Sequence, residues 1–180
     1  GGGPADLREH CLTVAAHMVR LGRREIQLNT LDAITQELAA LLDSGAALAK
    51  FRALVAAQGG EVRQIDHPDL LPSARLQETV RAERSGWVAR MDARAVAQAA
   101  LELGAGRVRK ADAIDPAVGV VVHKKVGDQV EAGDALFTVH ANGESQLARA
   151  LAVLADAPSL DDEAPQPLPA FYGTITEASA

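Results

Sequence analysis

The chain has a single cysteine, Cys11, and aromatic residues make up only 3% of it. One thiol closes no internal disulfide, and on a helix it packs as a small hydrophobe more often than it reacts, so a reducing, cytoplasmic compartment is expected. With so few rings and an apolar fraction of 48% rich in alanine, close helix packing is favoured over aromatic clusters. No apolar run approaches the ~20 residues of a membrane-spanning helix, and the start shows no basic flank followed by an apolar core. Neither export nor a membrane partner is expected. Basic residues are also in deficit: 18 Lys and Arg against 24 Asp and Glu give a net charge of -6. That balance repels phosphate backbones, and no nucleic-acid partner is expected. The five histidines, His10, His17, His67, His123 and His140, form no HxH or HExxH pair, which leaves no expected metal site. Without a GxSxG elbow, an acyl-transfer serine has no support.

What is present is periodic. Leu7, Cys11, Val14, Met18 and Leu21 recur at steps of four and three along residues 4–21, one helical stripe that Leu12 and Val19 widen into a buried face. Pro4 and Asp6 suit its first turn. A second helix is expected over 30–42, with Leu31, Ile34, Leu38 and Leu41 aligned, before Asp43-Ser44-Gly45 breaks it. A third covers 46–58 and stops at Gly59-Gly60, where a left-handed cap is usual. Residues 61–78 are expected to be loop. The composition then shifts: a strand over 87–91, Asp92 as the cap of a helix over 93–103, Gly104 as its terminator, strands near 118–123 and 135–140, and a helix over 144–154. Prolines 165 and 167 and the acids at 161–163 mark an extended segment ahead of an edge strand at 171–175.

The most informative stretch is 104–140. Gly127-Asp128 and Gly133-Asp134 are turn dipeptides six residues apart, bracketing Val130 and followed by an alternating apolar run. The spacing predicts short strands folding back on one another, with glycine admitting backbone angles closed to other residues. The GDxVxxGDxL pattern also occurs in the hairpin sandwiches of biotinyl and lipoyl carriers. A non-catalytic biotinyl- or lipoyl-like carrier or binding module is therefore the alternative reading, and a carrier needs a modifiable lysine on a hairpin tip. None follows Lys125, and only Lys110 is left as an acceptor, without the flanking sequence carriers use.

The longer phrase is more specific. GAGR at 104–107, a basic spacer, then DAIDPAVGVVVHKKVGDQVEAGDALFTVHA at 112–141 resembles the C-terminal region of pyrimidine-nucleoside phosphorylases, the family that includes thymidine phosphorylase. GGGPADLREHCLTVAAHMVRLG at 1–22, SGAALAKFRALVAAQGG at 44–60, LLP at 70–72 and SGWVARMDARAVAQAALELGAGR at 85–107 are similar to successive stretches of the same family, in order. The resemblance implies an α+β chain: N-terminal helices from a large α/β domain, with linker, over 1–78, then a C-terminal α/β-hammerhead, barrel-sandwich-like domain over 79–180. It further implies a cytoplasmic homodimer that uses phosphate as co-substrate to split a pyrimidine nucleoside into free base and pentose 1-phosphate. A related phosphorylase acting on nucleotides stays open, and so does thymidine-only against broad pyrimidine specificity.

That chemistry builds positive character on the sugar while phosphate attacks its anomeric carbon, and it needs fixed cations and hydroxyls on phosphate plus polar groups on the base. The resemblance implies that a Lys-His-Ser segment, a glycine- and threonine-rich loop and an Arg, Ser and Lys set supply them. None of these motifs occurs here. No catalytic, substrate-binding or metal residue and no cofactor is therefore expected within this span, which is expected to be scaffold and inactive alone. Gly1-Gly2-Gly3-Pro4 matches neither phosphate-loop pattern and is taken as a connector. Lys124 and Lys125 are taken as solvating a strand end. One stretch keeps a functional reading: Gly104, Gly106, Arg107 and Lys110, with Arg109, form a locally basic loop in an acidic chain. It is either a helix cap with a solvated loop, or a loop flanking a phosphate-containing cleft built by other parts of the fold.

Overall fold

The computed structural model describes residues 2–23, 30–107 and 109–175. They are α+β, with six α-helices and two three-stranded antiparallel sheets among the described residues. The chain divides into two compact units, Gly1–Leu70 and Leu71–Ala180.

The first unit is helical. α1 (Ala5–Arg23) and α2 (Thr30–Asp43) pack together around Ala16 and Ile34, each 2% exposed. Arg8 near the start of α1 meets Asp43 at the end of α2 at 3.0 Å, and Arg23 grips Glu37 with both guanidinium nitrogens at 2.8 and 2.9 Å. Gly45, at φ 80°, turns the chain into α3 (Ala46–Ala57). As expected from Gly59-Gly60, α3 closes in a paired cap: Gly59 N–H donates to Ala56 O, Gly60 N–H to Val55 O, and Gly59 takes the left-handed conformation that satisfies the last carbonyls. The stripe expected to be buried on α1 is not. Leu7, Val14, Met18 and Leu21 are 41% to 74% exposed, and Cys11 is exposed with them. On α3, Leu48, Phe51 and Leu54 are likewise about half exposed. Periodicity marked these faces as apolar, but among the described residues no element of this unit covers them.

The expected loop at 61–78 is also corrected. It holds a one-turn helix, α4 (Arg63–Asp66), a 3-10 turn (Pro68–Leu70) and the beginning of the first strand, so position 78 falls inside that strand.

The second unit starts with β1 (Leu76–Arg81) and β2 (Gly86–Met91) and continues with α5 (Ala93–Leu103), β3 (Gly119–Val122), β4 (Gln129–Val130), β5 (Ala135–Ala141), α6 (Glu144–Leu154) and β6 (Pro158–Asp161). One sheet runs β1-β5-β3 and the other β4-β2-β6. Strand β5 is central, with Val80 and Val122 on either side of Phe137 and Val120 opposite Val139. Phe137, Val139, Val88, Leu154, Ala99 and Ala150 are fully buried, and α5 and α6 close over them. Asp92 caps α5 as expected, its carboxylate accepting from Arg94 N–H at 2.9 Å and Ala95 N–H at 3.2 Å.

The two Gly-Asp turns have the same construction. In 125–128 the Asp128 N–H donates to Lys125 O and its carboxylate accepts from Lys125 N–H; in 131–134 Asp134 does the same with Glu131. Gly127 and Gly133, at φ 95° and 93°, occupy the third turn position, where a side chain would be strained. The expectation of strands folding back directly is corrected, because β4 between the turns pairs with β2 in the other sheet while β3 pairs with β5. Each turn instead clasps a residue in or next to another strand, Val88 within β2 or Ala82 just after β1, between its glycine N–H and its aspartate carbonyl. Val88 is held by Gly127 and Asp128, and Ala82 by Gly133 and Asp134, all at 2.8 or 2.9 Å. The turns therefore hand the chain from sheet to sheet. The edge strand expected at 171–175 is absent; β4 and β6 flank β2 in the second sheet, and in β6 Leu160 lies opposite Val88. Tyr172 and Ile175, 86% and 90% exposed, follow three prolines and have no apolar surface to settle on.

Candidate functional site

The basic loop begins where α5 ends. Gly104, at φ 100°, donates its N–H to Leu101 O at 3.1 Å while Ala105 N–H reaches Ala100 O at 3.0 Å, the same paired cap seen on α3. A Cβ on Gly106 would lie 2.9 Å from Leu101 Cδ1, so the chain passes close to α5 before it leaves the surface. Arg107, Arg109 and Lys110 are all exposed. A tight turn follows, in which the Asp112 carboxylate accepts Arg109 N–H at 2.7 Å and Asp112 N–H returns to Arg109 O at 3.0 Å. This uses a backbone group of Arg109 and leaves its guanidinium out. Among the described residues no ion pair joins Arg107, Arg109 or Lys110. Three solvated cations within four positions make the loop able to attract an anionic group.

The loop closes at its base. Asp115 N–H donates to Gly104 O at 3.0 Å, and the Asp115 carboxylate accepts from Ala117 N–H at 2.9 Å and from the Asn142 amide at 2.7 Å. These two bonds, in that order, hold its carboxyl below the ordinary aspartate value of 3.8. Asn142 Oδ1 in turn accepts Arg75 N–H at 2.9 Å, and the Arg75 guanidinium bonds to Asn142 O. Asp115, Asn142 and Arg75 were not singled out from sequence. Their one sequence cue is the Asp-Pro pair at 115–116, which signals a turn and not its partner 27 residues on.

Other candidates are accounted for differently. Lys124 pairs with Asp134 at 3.2 Å and so ties the end of β3 to the second Gly-Asp turn; its role is internal. His123 shares a 2.8 Å hydrogen bond with Thr138. Lys110 lies in the α5–β3 connection and not on a hairpin tip between strands, the place a carrier's lysine would occupy. A cavity of about 630 Å³ opens beside α6, with Leu136, Leu151 and Leu154 in its wall. The arginines at its rim are engaged, Arg81 with Gly133 O and Arg84 with Asp162, each at 2.8 Å, so neither guanidinium is free to receive an anion there, and the remaining charged lining residue is the acid Glu83. Among the described residues no three His, Cys, Asp or Glu side chains gather as metal ligands, and no helix is long and apolar enough to cross a membrane.

Residues 87–160, which hold the second sheet, both Gly-Asp turns, α5, α6 and the basic loop, match the pyrimidine nucleoside phosphorylase C-terminal domain. Over 142 residues, 79% of this chain, the sequence is 44% identical to a protein named pyrimidine-nucleoside phosphorylase from Staphylococcus aureus strain bovine RF122 / ET3-1. It is 43% identical over the same length to the protein of that name from S. aureus strain USA300. The match covers 32% of each relative, so the chain spans about a third of their length. A shared C-terminal domain and this identity, extending well beyond the domain into the helical unit, place the chain in the pyrimidine-nucleoside phosphorylase family, as a C-terminal portion of it.

Proposed function

We propose that this chain is the supporting C-terminal part of a pentosyltransferase that splits pyrimidine nucleosides with inorganic phosphate. Phosphate oxygen bonds to the anomeric carbon as the base leaves with the electrons of the glycosidic bond, giving pentose 1-phosphate and, once protonated, the free base. The observation that carries this reading is the 44% identity over 142 residues to a protein bearing that name. The span supplies frame and not reacting groups: it has no Lys-His-Ser segment and no glycine- and threonine-rich loop.

Two features of the molecule support the same reading. The apolar stripe on α1 is a second hydrophobic face, on the opposite side from Ala16, and a helix apolar on more than one side belongs inside a larger core. Leu7, Val14, Met18 and Leu21 would then pack within a large α/β domain that residues 1–78 help to build. Residues 79–180, which make up most of the second unit and hold its crossing Gly-Asp turns, would be the hammerhead or barrel-sandwich-like domain. Gly104, Gly106, Arg107 and Lys110 would flank the phosphate-containing cleft, where their unpaired cations raise the local concentration of phosphate. The parent enzyme would act in the cytoplasm as a homodimer.

Release of thymine and uracil from thymidine and uridine, with and without phosphate, tests this. The 180-residue chain is expected to give no base above the blank, whereas an enzyme of family length carrying it turns over both or one of them. Turnover by the 180-residue chain would disprove the scaffold role, and an inert family-length enzyme would disprove the reaction.

A further inference from the structure

The three free cations sit on a loop whose two ends meet, and a side-chain bond joins that base to the corner between β5 and α6. Asp115 closes the loop through its backbone, with N–H to Gly104 O at 3.0 Å. Its carboxylate leaves the loop to take the Asn142 amide at 2.7 Å, at the corner between β5 and α6. Asn142 is fixed from its other side by Arg75, through Arg75 N–H on Oδ1 at 2.9 Å and the guanidinium on its carbonyl, just ahead of β1. A relay thus runs from the strand layer, through one amide, to the base of the cationic loop. The paired cap at Gly104 fixes where the loop starts, and the Arg109–Asp112 turn is internal to it.

We propose that the Asp115–Asn142 pair is a positioning clasp that holds the Arg107–Lys110 cations in place for an anionic phosphoryl group. Asp115 and Asn142 touch no substrate; they act through the loop. The inference rests on the phosphate-flanking reading of that loop.

The chemistry of the pair supplies its own control. Asn142→Asp alone sets two carboxylates against each other with no donor between them. The exchange D115N/N142D rebuilds every bond: the new amide at 115 still accepts Ala117 N–H and donates to the carboxylate at 142, which still accepts Arg75 N–H. Trypsin cuts after Arg107, Arg109 and Lys110, so the rate of mild cleavage there reports the loop directly. In the 180-residue chain, N142D is expected to speed cleavage at these bonds by roughly tenfold, the scale of losing a charge-assisted hydrogen bond, and the exchange to restore the original rate. In the family-length enzyme, N142D is expected to raise the KM for phosphate by roughly tenfold with kcat changed less than about twofold, again restored by the exchange. Unchanged loop cleavage in N142D would overturn the clasp, as would an exchange variant that melts like the original but stays cleavable. An active family-length enzyme whose phosphate KM ignores N142D would overturn its positioning role. An inert family-length enzyme with the cleavage pattern intact would instead count against the phosphorylase reading and leave the clasp standing.

Discussion

The helical unit and the mixed unit hide apolar surface to very different extents. Among the described residues, Leu71–Ala180 holds a contiguous core of thirteen buried residues, whereas Gly1–Leu70 buries only Ala16 and Ile34. α3 and α5 close in the same paired C-terminal cap, so the way a helix ends does not separate the units. Burial does, since a helix pair in water draws most of its stability from the face it packs and little from propensity. Their charges are anchored differently too. In the helical unit Glu37 and Glu61 owe their lowered pKa first to arginine side chains, Arg23 and Arg63. In the mixed unit the aspartates Asp92, Asp115 and Asp134 owe theirs first to backbone N–H groups, of Ala95, Ala117 and Glu131, while Glu102 follows the helical unit's pattern through the Arg149 side chain. One unit is consolidated from within, and the other buries little of its apolar surface.

The sharpest way to break this contrast is to separate the units. Residues 71–180 expressed alone are expected to unfold in one cooperative denaturant transition, and residues 1–70 alone to melt broadly without one. A cooperative melt of the helical piece would remove the distinction. Single core truncations come next. Phe137→Ala is expected to cost about 3–5 kcal/mol and Leu154→Ala about 2–5 kcal/mol by urea titration. Met18→Glu in the 180-residue chain should stay within about 0.5 kcal/mol, because the side chain already meets water. The same M18E change in the family-length enzyme should be severely destabilising, by burying a charge, and a neutral result there would contradict a covered stripe. Gly127→Ala and Gly133→Ala follow at roughly 1–2 kcal/mol each, the strain of a side chain at positive φ.

The smallest effects are electrostatic. Asp92 and Asp134 titrate below 3.8 when folded, so the stability they contribute is complete above that value and is lost as pH falls through the lowered folded pKa. The unfolding midpoint of residues 71–180 should therefore decline on acidification below about pH 4, with part of the decline missing in the Asp134→Asn variant. Salt at 1 M should weaken the Arg23–Glu37 pair, which is exposed, and leave the backbone-held aspartates of the mixed unit nearly unaffected. Equal salt sensitivity in the two units would erase the electrostatic part of the comparison.

Elements with local punctuation were legible. Asp92 and Gly104 bracket α5, Gly59 ends α3, and Glu144–Leu154 forms α6 over the expected span. What depended on distant partners was not. β1 and β6 escaped notice because LQETVR and PSLD have no clear alternation of their own; they exist because Phe137 and Val88 lie opposite Val80 and Leu160. FYGTI at 171–175 has strand-like composition but no partner among the described residues. In the candidate site, the cationic loop was visible as a cluster of like charge, while the Asp115–Asn142 bond joins positions 27 apart and has no local signature.

Sequence alone determined where helices start and stop, that the Gly-Asp turns exist, which family the chain resembles, and that the usual catalytic motifs are missing from this stretch. These follow from interactions within a few residues or from patterns that need no partner. Tertiary structure alone decided that the two turns cross between sheets, that Asn142 secures the base of the basic loop, and that the stripe on α1 faces outward. Each depends on what lies across from a residue in space, and periodicity shows that a face is apolar without showing what covers it.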